Sequence, residues 1–142
     1  MKPKTLRRIL IGADAFAALS ALSGGAMVTI GWPYQFPMSW LQGTPFSSYV
    51  VPGLILGLVV GGSATAATFA TWKRPGAGSV ISLIAGCIMA GWIVGEVLIL
   101  AIYTWAQIVY LVNAAVMVVL AVRTAPAGWR GIARSVHLAG VR

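Results

Sequence analysis

Acidic side chains are almost missing from this chain: Asp14 and Glu96 stand against ten lysines and arginines in 142 residues. Histidine is reduced to His137, which excludes paired-histidine haem ligation and histidine-based zinc chemistry within one chain. Cysteine is reduced to Cys87, which excludes an intrachain disulfide, a CxxC redox pair and a cysteine metal site. Charged residues make up 8% of the chain, against roughly 25% in ordinary soluble domains. A chain of that composition shares its apolar surface with lipid rather than closing it away from water. No catalytic, cofactor-binding or metal-ligating set is expected, and the chain is read as a non-enzyme without cofactors.

What is present is long apolar sequence: 59% of the residues are hydrophobic, and they fall into four runs long enough to span a bilayer. By length this is one domain. The expected spans are 8–32, 45–72, 79–102 and 106–123, with an outer loop over 33–44 and a basic interfacial tail over 124–142. The fold class is therefore all-α: an integral membrane, antiparallel four-helix bundle. The first apolar run exceeds the h-region of a signal peptide and is read as a span.

The net charge of +8 does not point to nucleic acid, because of where the cations lie. Lys2, Lys4, Arg7 and Arg8 precede the first span, Lys73 and Arg74 separate the second from the third, and Arg123, Arg130, Arg134 and Arg142 follow the fourth. Four spans bring those three places to one side, and the opposite connections hold no lysine or arginine. By the positive-inside rule both termini are cytoplasmic. Trp32, Trp40 and Trp105 then lie near the outer surface and Trp72 and Trp129 near the inner one, as an aromatic belt requires. Trp92 is left as a packing residue. Beyond Pro126, Trp129, Ile132, Val136 and Leu138 alternate with Arg130 and Arg134, which reads as a short basic helix on the membrane surface. With Arg123 it makes an expected contact with anionic lipid at the cytoplasmic face.

Two seams of small residues are expected to pack helices together. Gly53, Gly57 and Gly61 form a double GxxxG in the second span, and Ser82, Gly86, Gly91 and Gly95 a looser stripe in the third. Thr44 before Pro45 reads as the cap of the second span, which leaves Pro52 inside it and the Ser48 carbonyl without its usual donor.

The polar residues within the spans are the candidates for function: Glu96, Asp14, Gln107 and Asn113. A charge in a span is costly and marks either function or a contact between helices. The first span is weakly apolar. Its eight large residues contribute roughly −4 kcal/mol, and a central Asp costs about +3 kcal/mol on the same scale, so this helix is expected to depend on its neighbours. At about 1.5 Å per residue, Asp14 comes level with Thr65, Thr68 and Ser82, with Asn113 a little deeper, and is expected to reach toward cytoplasmic Arg or Lys side chains. Glu96 lies nearer the outer surface, expected as a neutral donor to the Ser48 carbonyl or to Gln107. The carboxyls differ in depth by more than about 10 Å, which separates them too far for a dyad.

The segments GTPFSSYVVPGLILGLVVGGSA and AGWIVGEVLI, with the following YTWAQIVYLV, resemble a group of small four-span bacterial integral membrane proteins of uncharacterised function. The resemblance implies the topology and a multi-pass place in the bacterial inner membrane, and implies no activity. The chain is accordingly expected to be an accessory or assembly subunit of a membrane complex, with a protein partner or a second copy of itself. The alternative is a homo-oligomeric channel or proton-coupled carrier that uses Glu96 and Asp14.

Overall fold

The computed structural model describes residues 2–31, 36–100 and 103–126. Four helices are long and apolar enough to cross a membrane: α1 (Pro3–Ile30), α2 (Val50–Lys73), α3 (Pro75–Leu100) and α4 (Trp105–Thr124). Among the described residues there is no strand. Trp32, Trp129, Arg130 and Arg134, and with them the expected surface helix, lie outside the described residues.

Prolines open α1 and α3 at the first helical position, where the missing N–H would have no intrahelical acceptor. The third span accordingly begins at Pro75 rather than at 79. α1 stops at Gly31, whose φ of 70° is left-handed and whose N–H closes back on the Met27 carbonyl. α4 opens on a capping box: the Gln107 Oε1 accepts the Thr104 N–H at 2.8 Å, and the Thr104 side chain accepts a backbone N–H in return.

The second span departs furthest from expectation. It starts at Val50, because the residues before it close turns of their own. The Thr44 hydroxyl donates to the Leu41 carbonyl at 2.8 Å and accepts the Phe46 N–H at 3.3 Å. Such local bonds offer the backbone an alternative to helix. Pro52 thereby falls in the first turn of α2, among donors that have no intrahelical partner, and breaks nothing. The irregularity lies further on, where Ile55–Gly61 adopts wider, π-type hydrogen bonding.

That widened stretch carries part of the glycine seam, and the seam faces α1. A Cβ on Gly25 would come within 2.5 Å of the Gly57 Cα and 2.7 Å of the Gly53 carbonyl oxygen. A Cβ on Gly61 would meet the Leu22 Cγ at 2.9 Å. The helix axes can lie this close only because nothing protrudes from these positions. In α3, a Cβ on Gly86 would meet the Ala114 carbonyl of α4 at 3.2 Å. Gly91 and Gly95 correct the expectation: a Cβ on either would touch nothing within 4 Å, so they keep space open rather than seat a helix.

Cross-helix contacts define two ends. The start of α1, the turn at Arg74 and the end of α4 share one end, here the terminal end: Arg7 bonds carbonyls at the end of α2, and the Ser79 and Thr124 hydroxyls meet at 3.0 Å. The loop end holds the end of α1, residues 36–49 and the start of α4. The terminal half is closely packed around Leu10, Ala13, Ala17, Ala64, Ala67, Ala85, Met117 and Ala121. Small side chains dominate, so contact is made backbone to backbone.

Candidate functional site

Two polar centres lie on α3, fourteen residues and therefore about 21 Å apart. Asp14 belongs to the first. Its side chain is wholly buried, and its Oδ2 accepts hydrogen bonds from the Ser82 hydroxyl at 2.6 Å and the Thr71 hydroxyl at 3.4 Å. The two hydroxyls are themselves 3.0 Å apart. One carboxyl thus ties α1, α2 and α3 together. Its Oδ1 is buried without a hydrogen-bond partner. Asn113 adds α4 by donating from Nδ2 to the Ala13 carbonyl at 3.2 Å, beside the Met117 sulfur at 3.5 Å.

Ser82 and Asn113 stand where depth counting puts them, but Asp14 finds hydroxyls where Arg or Lys was expected. Arg7 is engaged elsewhere: its Nε donates to the Thr71 carbonyl at 2.9 Å and its Nη2 to the Trp72 carbonyl. It therefore caps the C-terminal end of α2, where a cation also meets the negative end of the helix dipole. Thr71 was missed. Asp14 meets Thr71 while Arg7, two turns earlier, reaches inward to the carbonyls of the same turn, so α1 overhangs the end of α2. Thr65 and Thr68, expected at that level, bond the backbone of their own helix at 2.7 and 2.9 Å.

Glu96 forms the second centre. Of its two expected partners, Gln107 is the one that lines the same cavity as Glu96. Ser48 precedes α2 rather than sitting inside it, so the expected vacant helical carbonyl does not arise. The Gln107 Oε1 is already taken by the Thr104 N–H. Its amide nitrogen is the group left to donate, and toward it the Glu96 carboxyl can only accept.

Glu96 is half-buried, and two cavities meet at it. One of about 160 Å³ runs toward the middle of the bundle past Ser20, Gly24, Met89 and Tyr110. The other, of about 240 Å³, lies at the loop end and is walled by Phe36, Trp40, Phe46, Tyr49 and the open face of Gly91 and Gly95. Leu56, Trp92 and Glu96 line both. Trp92 packs against the core, as expected, and also lines both cavities.

The aromatic side of the larger cavity comes from the segment before α2. Phe36 lies 6.0 Å from Trp40 and 5.7 Å from Tyr49, ring centre to ring centre. The Tyr49 hydroxyl donates to the Pro37 carbonyl at 2.8 Å. Gly43, at φ 83°, supplies the left-handed turn that brings this segment back. Leu41, in the short 3₁₀ turn Met38–Leu41, is buried at its base.

Among the described residues, no three His, Cys, Asp or Glu side chains come together in a metal-binding group. What this arrangement can do chemically is hold an apolar molecule with one polar group turned to Glu96. No protein-family model, no curated protein and no solved structure matches this chain.

Proposed function

We propose that this chain is a non-enzymatic, multi-pass protein of the bacterial inner membrane. It is an antiparallel four-helix bundle with both termini cytoplasmic, and it holds a small apolar molecule in the outer half of the bundle as an accessory subunit of a membrane complex. The observation that carries this reading is the meeting of two cavities at Glu96, in a bundle whose other half is filled. A pocket mostly apolar with a few convergent polar groups is the usual form of a small-molecule site. The homo-oligomeric channel or proton-coupled carrier using Glu96 and Asp14 is less well supported, because a path through the chain itself would have to pass the closely packed layer around Asp14.

The orientation rests on charge. Lys4, Arg7, Arg8, Lys73, Arg74 and Arg123 gather at the terminal end, as the positive-inside rule expects of a cytoplasmic face. A groove of about 500 Å³ lined by Lys4, Arg7, Arg8, Ile11 and Trp72 fits an anionic lipid phosphate at that surface.

The test uses the purified chain in lipid nanodiscs and 2-ethylnaphthalene as a neutral apolar probe, read by quenching of tryptophan fluorescence. Saturable quenching is expected, and Gly91→Leu is expected to abolish it by filling the cavity. Quenching that only rises linearly, as in empty discs with a soluble tryptophan, contradicts the reading. Native mass spectrometry from mild detergent tests the subunit role: consistent recovery as a lone monomer contradicts it.

A further inference from the structure

We infer that the loop-end cavity is a site for a lipophilic ammonium, an amine or quaternary ammonium with an aromatic or branched apolar body. This rests on the cavity reading above and names the ligand class for it. Three features converge. Glu96 is the one acidic side chain on either cavity wall, and neither wall includes a lysine or arginine among the described residues. A negative charge there has no cationic partner inside the cavity, and a ligand cation would supply one.

The second feature is the aromatic lining. Trp92 sits one turn before Glu96 on α3, and Phe36, Trp40, Phe46 and Tyr49 close the opposite side. The faces of such rings attract cations, most strongly when water is excluded, and quaternary ammonium recognition by aromatic cages uses that attraction. Aliphatic side chains alone would hold an apolar body equally well and add nothing for charge.

The third is the polarity of the Glu96 contact. Gln107 is held by the α4 capping box with its oxygen on the Thr104 N–H, so its amide nitrogen is the group it can offer to the carboxyl on the cavity wall they share. Toward Gln107, Glu96 can therefore only accept. The capacity that remains toward the cavity suits a positive group or a hydrogen-bond donor, and the open surface at Gly91 and Gly95 leaves room for the body attached to it.

The experiment compares 2-(1-naphthyl)ethyl-trimethylammonium with its neutral carbon isostere, 1-(3,3-dimethylbutyl)naphthalene, on the full chain in zwitterionic nanodiscs. Partition into empty discs is subtracted. The cation is expected to bind at least about tenfold more tightly, the scale of a desolvated cation–aromatic contact with a carboxylate beside it. Glu96→Gln is expected to cut that preference to what the rings alone supply while retaining isostere binding, which shows the cavity intact. Equal binding of the two probes to the wild-type chain overturns the ligand class and leaves the cavity reading standing. A preference undiminished in Glu96→Gln overturns the role given to Glu96. If neither probe saturates, both readings fall. The wild-type comparison needs no variant and decides the matter even where Glu96→Gln folds poorly.

Discussion

At the scale of single residues, Asp14 and Ser82 form the sharpest dependency in the molecule. Removing the Ser82 hydroxyl leaves a fully buried carboxyl oxygen short of its nearer donor. Ser82→Ala is therefore expected to lower stability by about 1–3 kcal/mol, the usual cost of stranding one partner of a buried hydrogen bond. Removing both leaves no carboxyl to strand, only the Thr71 hydroxyl. In a double-mutant cycle with Asp14→Ala, the pair should cost less than the sum of the singles, as measured by unfolding in mixed detergent. Additive losses would mean the two side chains do not depend on each other. Asp14 and Glu96 could be singled out by reading, since a lone carboxyl in an apolar run is conspicuous. Ser82 and Asn113 followed from counting depth along each helix. Thr71 did not, because that count assumed that Arg7 marks the level where α2 ends, and a long side chain reaching inward hides the overhang. The Gln107 cap is legible in the Thr104-to-Gln107 spacing, but from sequence Gln107 is taken as a candidate functional residue and partner of Glu96 instead.

At the scale of elements, the four helices can be read from composition, but the role of each glycine cannot. Gly25 and Gly91 look alike in sequence. Gly25→Leu would drive a side chain into the Gly57 backbone and is expected to destabilise the bundle by about 1–3 kcal/mol or more. Gly91→Ala is expected to leave the melting temperature unchanged, since a Cβ there meets nothing within 4 Å. Thermal unfolding of the two variants side by side checks this. The spacing of GxxxG reveals a seam without naming its partner, and nothing in the spacing distinguishes a glycine that seats a helix from one that keeps a cavity open. The loop before α2 adds a pH prediction. Burial raises the Tyr49 phenol above its ordinary range, so its hydroxyl stays a donor to the Pro37 carbonyl. That bond contributes fully below the ordinary phenol value of about 10 and is lost as pH climbs through the raised folded value. Amide exchange over residues 36–49 should be faster in Tyr49→Phe than in the wild-type chain at neutral pH, and the difference should vanish in strong base.

At the scale of the whole molecule, the bundle is unequal along its length. Its terminal half is filled by alanines and a hydroxyl-bonded carboxyl, while its loop half holds two cavities joined at Glu96. The basic groove at the terminal end should couple the chain to lipid charge. Replacing Lys4 and Arg8 with Gln is expected to weaken retention of anionic lipid by roughly thirtyfold, at about 1 kcal/mol per basic residue near the surface, as read by native mass spectrometry with mixed lipids. The overall shape follows from the sequence as far as four apolar helices long enough to span a membrane. The inequality does not, because it depends on which small residues face each other across helices.

The most direct test of this arrangement is sided cysteine labelling in intact inverted and right-side-out vesicles, with Cys87→Ser as background. Ser47→Cys and Glu96→Cys should react with a membrane-impermeant maleimide from the outer face alone, and Gly76→Cys from the cytoplasmic face alone. Labelling of Ser47→Cys and Gly76→Cys from the same face, or of Glu96→Cys from the Gly76 face, would contradict a four-span bundle closed at its basic end and open at the other.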